Sequence, residues 1–281
     1  MGRVLDAWWR AVAYCLHPRV IALSFLPLLV MVAVALGAGW LFWDGAVDAV
    51  FRWLESYSLF TRIGEWLQGI GAGGLRSVMA PLIVIFLATP VIVLGSLIAV
   101  AVLMTPALVQ LVAERRFPQL QRRRGASLLA SVGWSLVSTL LALVAFVVTL
   151  PLWLIPPLVL LLPPLIWGWL TYRVMAFDAL AEHASAEERR EVFRRHRLPL
   201  LAIGIFSGYL GAAPSVVWAS GALFAAAFVI LVPVAIWIYT VVFAFSSLWF
   251  AHYALAALQD LRAEALDVPS RPIALRDEHP S

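Results

Sequence analysis

The chain is 281 residues long, 63% hydrophobic and 13% charged, with a net charge of +4; soluble domains carry roughly 25% charged residues. That balance excludes an ordinary water-soluble fold, whose helices need a polar face. The basic residues are all Arg, and they flank apolar blocks where topology and lipid headgroups account for them, so no nucleic-acid partner is expected.

Four blocks hold no Asp, Glu, Lys, Arg or His: 20–43, 77–113, 126–172 and 198–251. A helix needs roughly 20 apolar residues to cross the hydrocarbon core, so each block is long enough to span. The pattern predicts an all-α integral membrane protein, with a single polytopic domain over residues 1–258 and a polar, mobile tail at 259–281. The first block follows Arg3, Arg10 and Arg19. Its 24 residues exceed the apolar region of about 7–15 in a cleavable signal, which predicts an uncleaved anchor. Blocks one and two read as spanning helices kinked at Pro27 and Pro90. Between them, Val47, Val50, Phe51, Leu54 and Tyr57 line one face at helical spacing, continued by Leu59, Ile63, Trp66, Leu67 and Ile70. Such an amphipathic helix either lies in the interface or extends a spanning helix.

Arg115, Arg116, Arg122, Arg123 and Arg124 are opposed by Glu114 alone within 114–124. Arginine density beside a span marks the cytoplasmic side. This places 114–124 and the N-terminus there, 44–76 opposite, and 173–197, with six Arg, back in the cytoplasm. Blocks three and four then run out and return, turning near Pro151–Pro157 and Gly211–Ser220 without any charge at the turn. Pro151, Pro156, Pro157, Pro163 and Pro164 are expected to cut short the arms of one, and Pro199, Pro214 and Pro233 those of the other. Non-helical backbone at membrane depth survives only inside protein or beside a cavity, so two helical hairpins entering the bilayer partway are expected. Residues 178–197 predict a second amphipathic helix, acidic early and basic late as the helix dipole prefers.

The constellations that suggest chemistry are weak. Gly69, Gly71 and Gly74 satisfy G-x-G-x-x-G, yet no strand precedes them and no acid follows about 20 residues on. Asp178, Glu182, His183 and Glu187 read as a solvated helix face rather than a metal site. Ser207, between Gly204 and Gly208, belongs to a G-x-x-x-G close-packing motif. His252, beside Trp249, Phe250 and Tyr253, reads as part of an interfacial aromatic belt. Cys15 has no partner for an internal disulfide. No enzyme, catalytic residue, metal or cofactor is expected.

Pro18 followed by LPLLV at 26–30, TPALVQLVAERR at 105–116, YRVMAFDALAEHAS at 172–185 and RREVFRRHRLPLLAIG at 189–204 have a recognisable order and spacing. In these the chain resembles the CysZ family of bacterial sulfate permeases, whose eukaryotic relatives are the etoposide-induced proteins. The resemblance implies two spanning helices with two partly inserted helical pairs, a place in the bacterial inner membrane, sulfate transport and homo-oligomers. It departs at one point. Sulfate-binding members carry a Gly-Ile-Arg-Arg type run before LPLL, where this chain has Arg19, Val20, Ile21 and Ala22.

A dianion in a membrane site needs backbone donors and guanidinium groups. Arg19, Arg76 and Arg173, at block edges, are the candidate substrate-binding residues of a channel-like permease for sulfate or another small anion. The blocks offer no carboxylate for proton coupling, which favours a passive path. The alternative is a membrane scaffold or lipid-interacting accessory protein without transport activity. The partners expected are the lipid bilayer, a small anion and further copies of the chain, with both termini cytoplasmic.

Overall fold

The computed structural model describes residues 2–57, 74–123, 125–211 and 221–267, and every regular element in them is helical. In chain order these are α1 (Gly2–Cys15), α2 (Pro18–Ser24), α3 (Leu26–Glu55), α4 (Gly74–Arg116), α5 (Leu128–Thr149), a 3-10 turn (Leu150–Leu154), α6 (Pro156–Ala181), α7 (Ala186–Arg195), α8 (Arg197–Gly211) and α9 (Gly221–Asp267). Five stretches are long and apolar enough to cross a membrane: Pro18–Glu55, Val78–Ser96, Leu129–Leu154, Pro156–Ala181 and Pro233–Leu266. Trp40, Phe86 and Leu129 are 87%, 78% and 83% exposed, an apolar exterior suited to lipid. The protein is a multi-pass, all-α membrane protein. The chain divides into two compact units.

The first unit comprises Met1–His17, Thr105–Ala213 and Val242–Ser281. Its core follows helical spacing: Leu108, Leu111 and Val112 on α4, Ala176 and Leu180 on α6, Leu200 and Ile203 on α8, and Leu248, Ala251, Leu255 and Leu258 on α9 are all buried. Ser127 caps α5, its hydroxyl accepting from the Ala130 N–H at 3.2 Å. The hairpin turns where expected. Ile155 is extended (φ −95°, ψ 108°) because the following proline disfavours helical backbone there. Pro156 and Pro157 then occupy the start of α6, where no N–H is missed.

Two proline expectations fail in these helices. α6 runs through Pro163 and Pro164, and α9 through Pro233, so these residues do not cut the arms short. In an apolar surrounding no water competes for the backbone, and neighbouring groups re-satisfy what proline frees. Residues 178–197 are also not one helix. α6 stops at Ala181, and Ser185 starts α7 with a capping box: its hydroxyl accepts from Glu188 N–H at 3.2 Å while Glu188 accepts from Ser185 N–H at 2.8 Å. His196 then separates α7 from α8. Residues 259–267, expected in the tail, continue α9 to Asp267; the remainder of the tail lies outside the described residues.

α6 and α8 pack through glycine. A Cβ on Gly204 would collide with the Gly168 carbonyl oxygen and one on Gly168 with Ile205, so only hydrogen at these positions permits the approach. Ser207 is buried in the same seam, as the small-residue motif anticipated.

The second unit comprises Pro18–Met104 and Pro214–Val241. Phe25 separates α2 from α3, and Pro27 sits in the first turn of α3; it starts that helix and does not kink it, because the first turn lacks intrahelical N–H bonds anyway. Trp237 Nε1 donates to Ser24 Oγ at 3.2 Å and its ring stacks on Phe25 at 6.0 Å. α3 continues to Glu55 with Leu54 buried and Asp48, Arg52 and Glu55 exposed. The amphipathic stretch thus extends a spanning helix. Its second half from Leu59 to Ile70, Gly69 and Gly71, and the turn at 212–220 lie outside the described residues. α4 runs as one helix through Pro90.

Candidate functional site

The three candidate arginines have different surroundings. Arg19 is exposed on the seven-residue α2, with Val20 buried and Ile21 and Ala22 exposed. Arg76 lies in the first turn of α4, and its side chain is outside the described residues. Both belong to the second unit.

Arg173 belongs to the first unit, two turns before the end of α6. Its guanidinium carbon sits 3.9 Å from the Trp134 ring centre and 5.5 Å from that of Trp169. Trp134 Nε1 donates to the Arg173 carbonyl at 2.9 Å, which locks the indole beneath the cation. Phe177 stacks on Trp134 at 5.0 Å and 19°, and the Arg189 guanidinium lies 4.3 Å from the Phe177 ring centre. Two cations therefore bracket two aromatic rings, each held by the negative π face. Arg173 Nε and Arg189 Nη1 are buried without a hydrogen-bond partner, and neither guanidinium has a carboxylate partner among the described residues.

A polar cavity of about 300 Å³ in the same unit escaped the sequence reading. Arg3, Asp6, Arg116, His196, His252 and Asp260 are among its lining residues. Arg116 Nη2 donates to Asp6 Oδ2 at 2.9 Å and its Nη1 lies 3.3 Å from His252 Nδ1. A guanidinium only donates, so Nδ1 accepts and the His252 proton sits on Nε2. His252 is fully buried, edge-on to Tyr14 at 4.6 Å; it is not part of an aromatic belt, because the α9 core stripe carries it inward. Arg3 pairs with Asp260 at 2.6 Å. His196 Nδ1 lies 3.0 Å from Tyr253 Oη, and burial, then Arg3, hold that imidazole below its ordinary pKa. Arg10, through its hydrogen bonds, and then Arg116 hold the Asp6 carboxyl low. Every arginine lining this cavity faces a carboxylate. The arrangement clamps α1 onto α4 and α9 and leaves little positive charge for an anion.

Asp178, Glu182, His183 and Glu187 do not form one solvated face: Glu182 is exposed but His183 is buried, because the chain turns between α6 and α7. The Ser185 hydroxyl contacts Glu187 at 2.9 Å, and the His183 carbonyl accepts from Arg262 at 2.6 Å. The sequence signal for the Arg173 stack was the spacing Trp169–Arg173–Phe177, one residue per turn of a single helix face. Trp134, from another helix, carried no such signal.

No curated protein and no solved structure matches the chain. The family model described as Sulfate transporter CysZ/Etoposide-induced protein 2.4 matches residues 7–221, a range that takes in α2 and the whole Arg173 stack. The chain belongs to the Sulfate transporter CysZ/Etoposide-induced protein 2.4 family.

Proposed function

We propose that this protein is a channel-like permease for sulfate or another small anion, a homo-oligomer in the bacterial inner membrane with both termini cytoplasmic. Family membership over residues 7–221 carries the reading, since the family is one of transporters and not of enzymes. The uncharged blocks support a passive path, because they hold no carboxylate that could couple flux to protons. Arg19 and Arg76 are the attraction points in the second unit and Arg173 the one in the first. Arg19 stands where sulfate-binding relatives carry their motif, and the exposed Ile21 and Ala22 leave room to restore the missing pair.

The test is sulfate uptake into proteoliposomes together with calorimetric titration of the purified protein. A hydrogen bond to a charged group contributes roughly 1.5–3 kcal/mol, so Arg19→Ala should weaken anion binding by about 10- to 100-fold. The double variant Ile21→Arg, Ala22→Arg should bind sulfate more tightly than the wild type. Sulfate flux no greater than in empty vesicles, with any other anion flux indifferent to Arg19→Ala, would replace this reading with the accessory or scaffold one.

A further inference from the structure

We infer that Arg173 forms a binding site for a tetrahedral oxyanion, and that the phosphate of an anionic lipid headgroup is the occupant it fits best. The first observation is an unmet demand. A buried ionic donor without an acceptor is costly, yet Arg173 Nε has none and no carboxylate answers the guanidinium among the described residues. Arg3, Arg116, Arg123, Arg195 and Arg262 of the same unit each meet an acid, whereas Arg173 and Arg189 share only their aromatic stack. The second is pre-organisation. Trp134 and Trp169 lie 3.9 and 5.5 Å from the cation, so its plane is fixed before any ligand arrives, and little side-chain entropy remains to be lost.

The third observation is location. Arg173 is the first charged residue after block three, so it marks the edge of the apolar zone. On the two helices that carry the stack, Leu129, Leu136 and Trp167 are 83%, 66% and 53% exposed, an apolar surface suited to lipid on α5 and α6. Lipid phosphates lie at that depth, and the guanidinium fork matches a phosphate's oxygens. Arg189 lies on the far side of the aromatic stack, at most about 13 Å away, and with the Trp134 and Phe177 rings between the two cations it lends only its field. The proposal deepens the role given to Arg173 in the proposed function, and its test reads binding at Arg173 without reading flux, so either can fail without the other.

Native mass spectrometry of the full chain in detergent, titrated with phosphatidylglycerol and separately with phosphatidylcholine, measures lipid retention; thermal shift against sodium sulfate measures the free ion. Arg173→Gln should lose phosphatidylglycerol by about 10-fold or more while phosphatidylcholine is unchanged. Arg173→Lys keeps the charge but loses Nε and the fork, and should fall between. A sulfate-dependent shift that vanishes in Arg173→Gln, with lipid retention unaltered, would uphold the site and make a free oxyanion its occupant. Should Arg173→Gln not fold, Arg173→Lys and Trp134→Phe carry the comparison. Phosphatidylglycerol retention and sulfate shift both indifferent to these variants overturn the inference.

Discussion

Arg262 holds together three stretches of chain through four hydrogen bonds. Its Nε and Nη2 grip the two Glu188 oxygens at 2.9 and 3.0 Å, and it also donates to the carbonyls of His183 at 2.6 Å and Gln121 at 3.0 Å. The Arg262 and Glu188 side chains are 17% and 13% exposed, and Arg123 adds a second cation to Glu188 at 3.0 Å. Arg262, foremost through its hydrogen bonds, holds the Glu188 carboxyl below its ordinary pKa. A carboxylate with a depressed folded pKa contributes stability above its unfolded value, and loses it as the pH falls through the folded one. Arg262→Gln leaves Glu188 short of its main partner, a change that costs about 3 kcal/mol for a largely buried pair. The variant should melt well below the wild type at pH 7. The gap should narrow once the pH drops under about 4.3, where Glu188 protonates in the unfolded chain. Thermal unfolding in detergent from pH 7 to pH 3.5 checks this; an unchanged gap would assign the effect to the two carbonyls instead. Nothing in the sequence paired Arg262 with Glu188, 74 residues apart, whereas the local capping box Ser185-x-x-Glu188 can be read directly.

Helices in this protein are set by two different kinds of residue. Caps and glycines act locally and are legible; prolines act through their surroundings and are not. The G-x-x-x-G reading at Gly204 and Gly208 found the α8 seam, and its partner Gly168 on α6 completes it. Pro163, Pro164 and Pro233 pointed to breaks that the helices do not have, because helical breaking strength is calibrated in water. The 178–197 run misled in the other direction: periodicity continued across Ser185 and His196 although the backbone stops at both. Gly168→Ala and Gly204→Ala should each destabilise by about 1–3 kcal/mol, since a Cβ forces backbone or Ile205 to move. Gly37→Ala and Gly133→Ala meet nothing within 4 Å and should be neutral, or stabilise by up to about 1 kcal/mol. Fluorescence-monitored melting of the four variants tests the contrast; equal losses at all four would remove close packing as the reason for glycine at the seam.

Within the first unit the polar contacts gather the chain's charged ends into one layer. Arg3 meets Asp260, Asp6 meets Arg116, Arg195 meets Glu264, and Arg262 reaches both α7 and the Gln121 carbonyl. The start of α1, the end of α4, α7 and the end of α9 therefore lie in one layer, and the orientation proposed above takes that layer as cytoplasmic on its arginine excess. Each excursion from this layer must come back to it. For the α5–α6 hairpin the depth follows from Arg173. If its guanidinium sits at headgroup level, the 17 residues from Pro156 to Tyr172 rise only about 26 Å, short of the roughly 30 Å core. The apex at Leu154, 87% exposed in the isolated chain, then stops inside the hydrocarbon core, short of the far interface. Single cysteines test the arrangement in a Cys15→Ser background, although burial already pushes the Cys15 thiol up to about 11 and keeps it sluggish. Gln121→Cys should react with a membrane-impermeant maleimide only from the cytoplasmic side and Ser56→Cys only from the other. Leu154→Cys should resist it from both. Rapid labelling of Leu154→Cys from outside would show that the hairpin crosses completely, and would lift Arg173 out of the headgroup layer along with it.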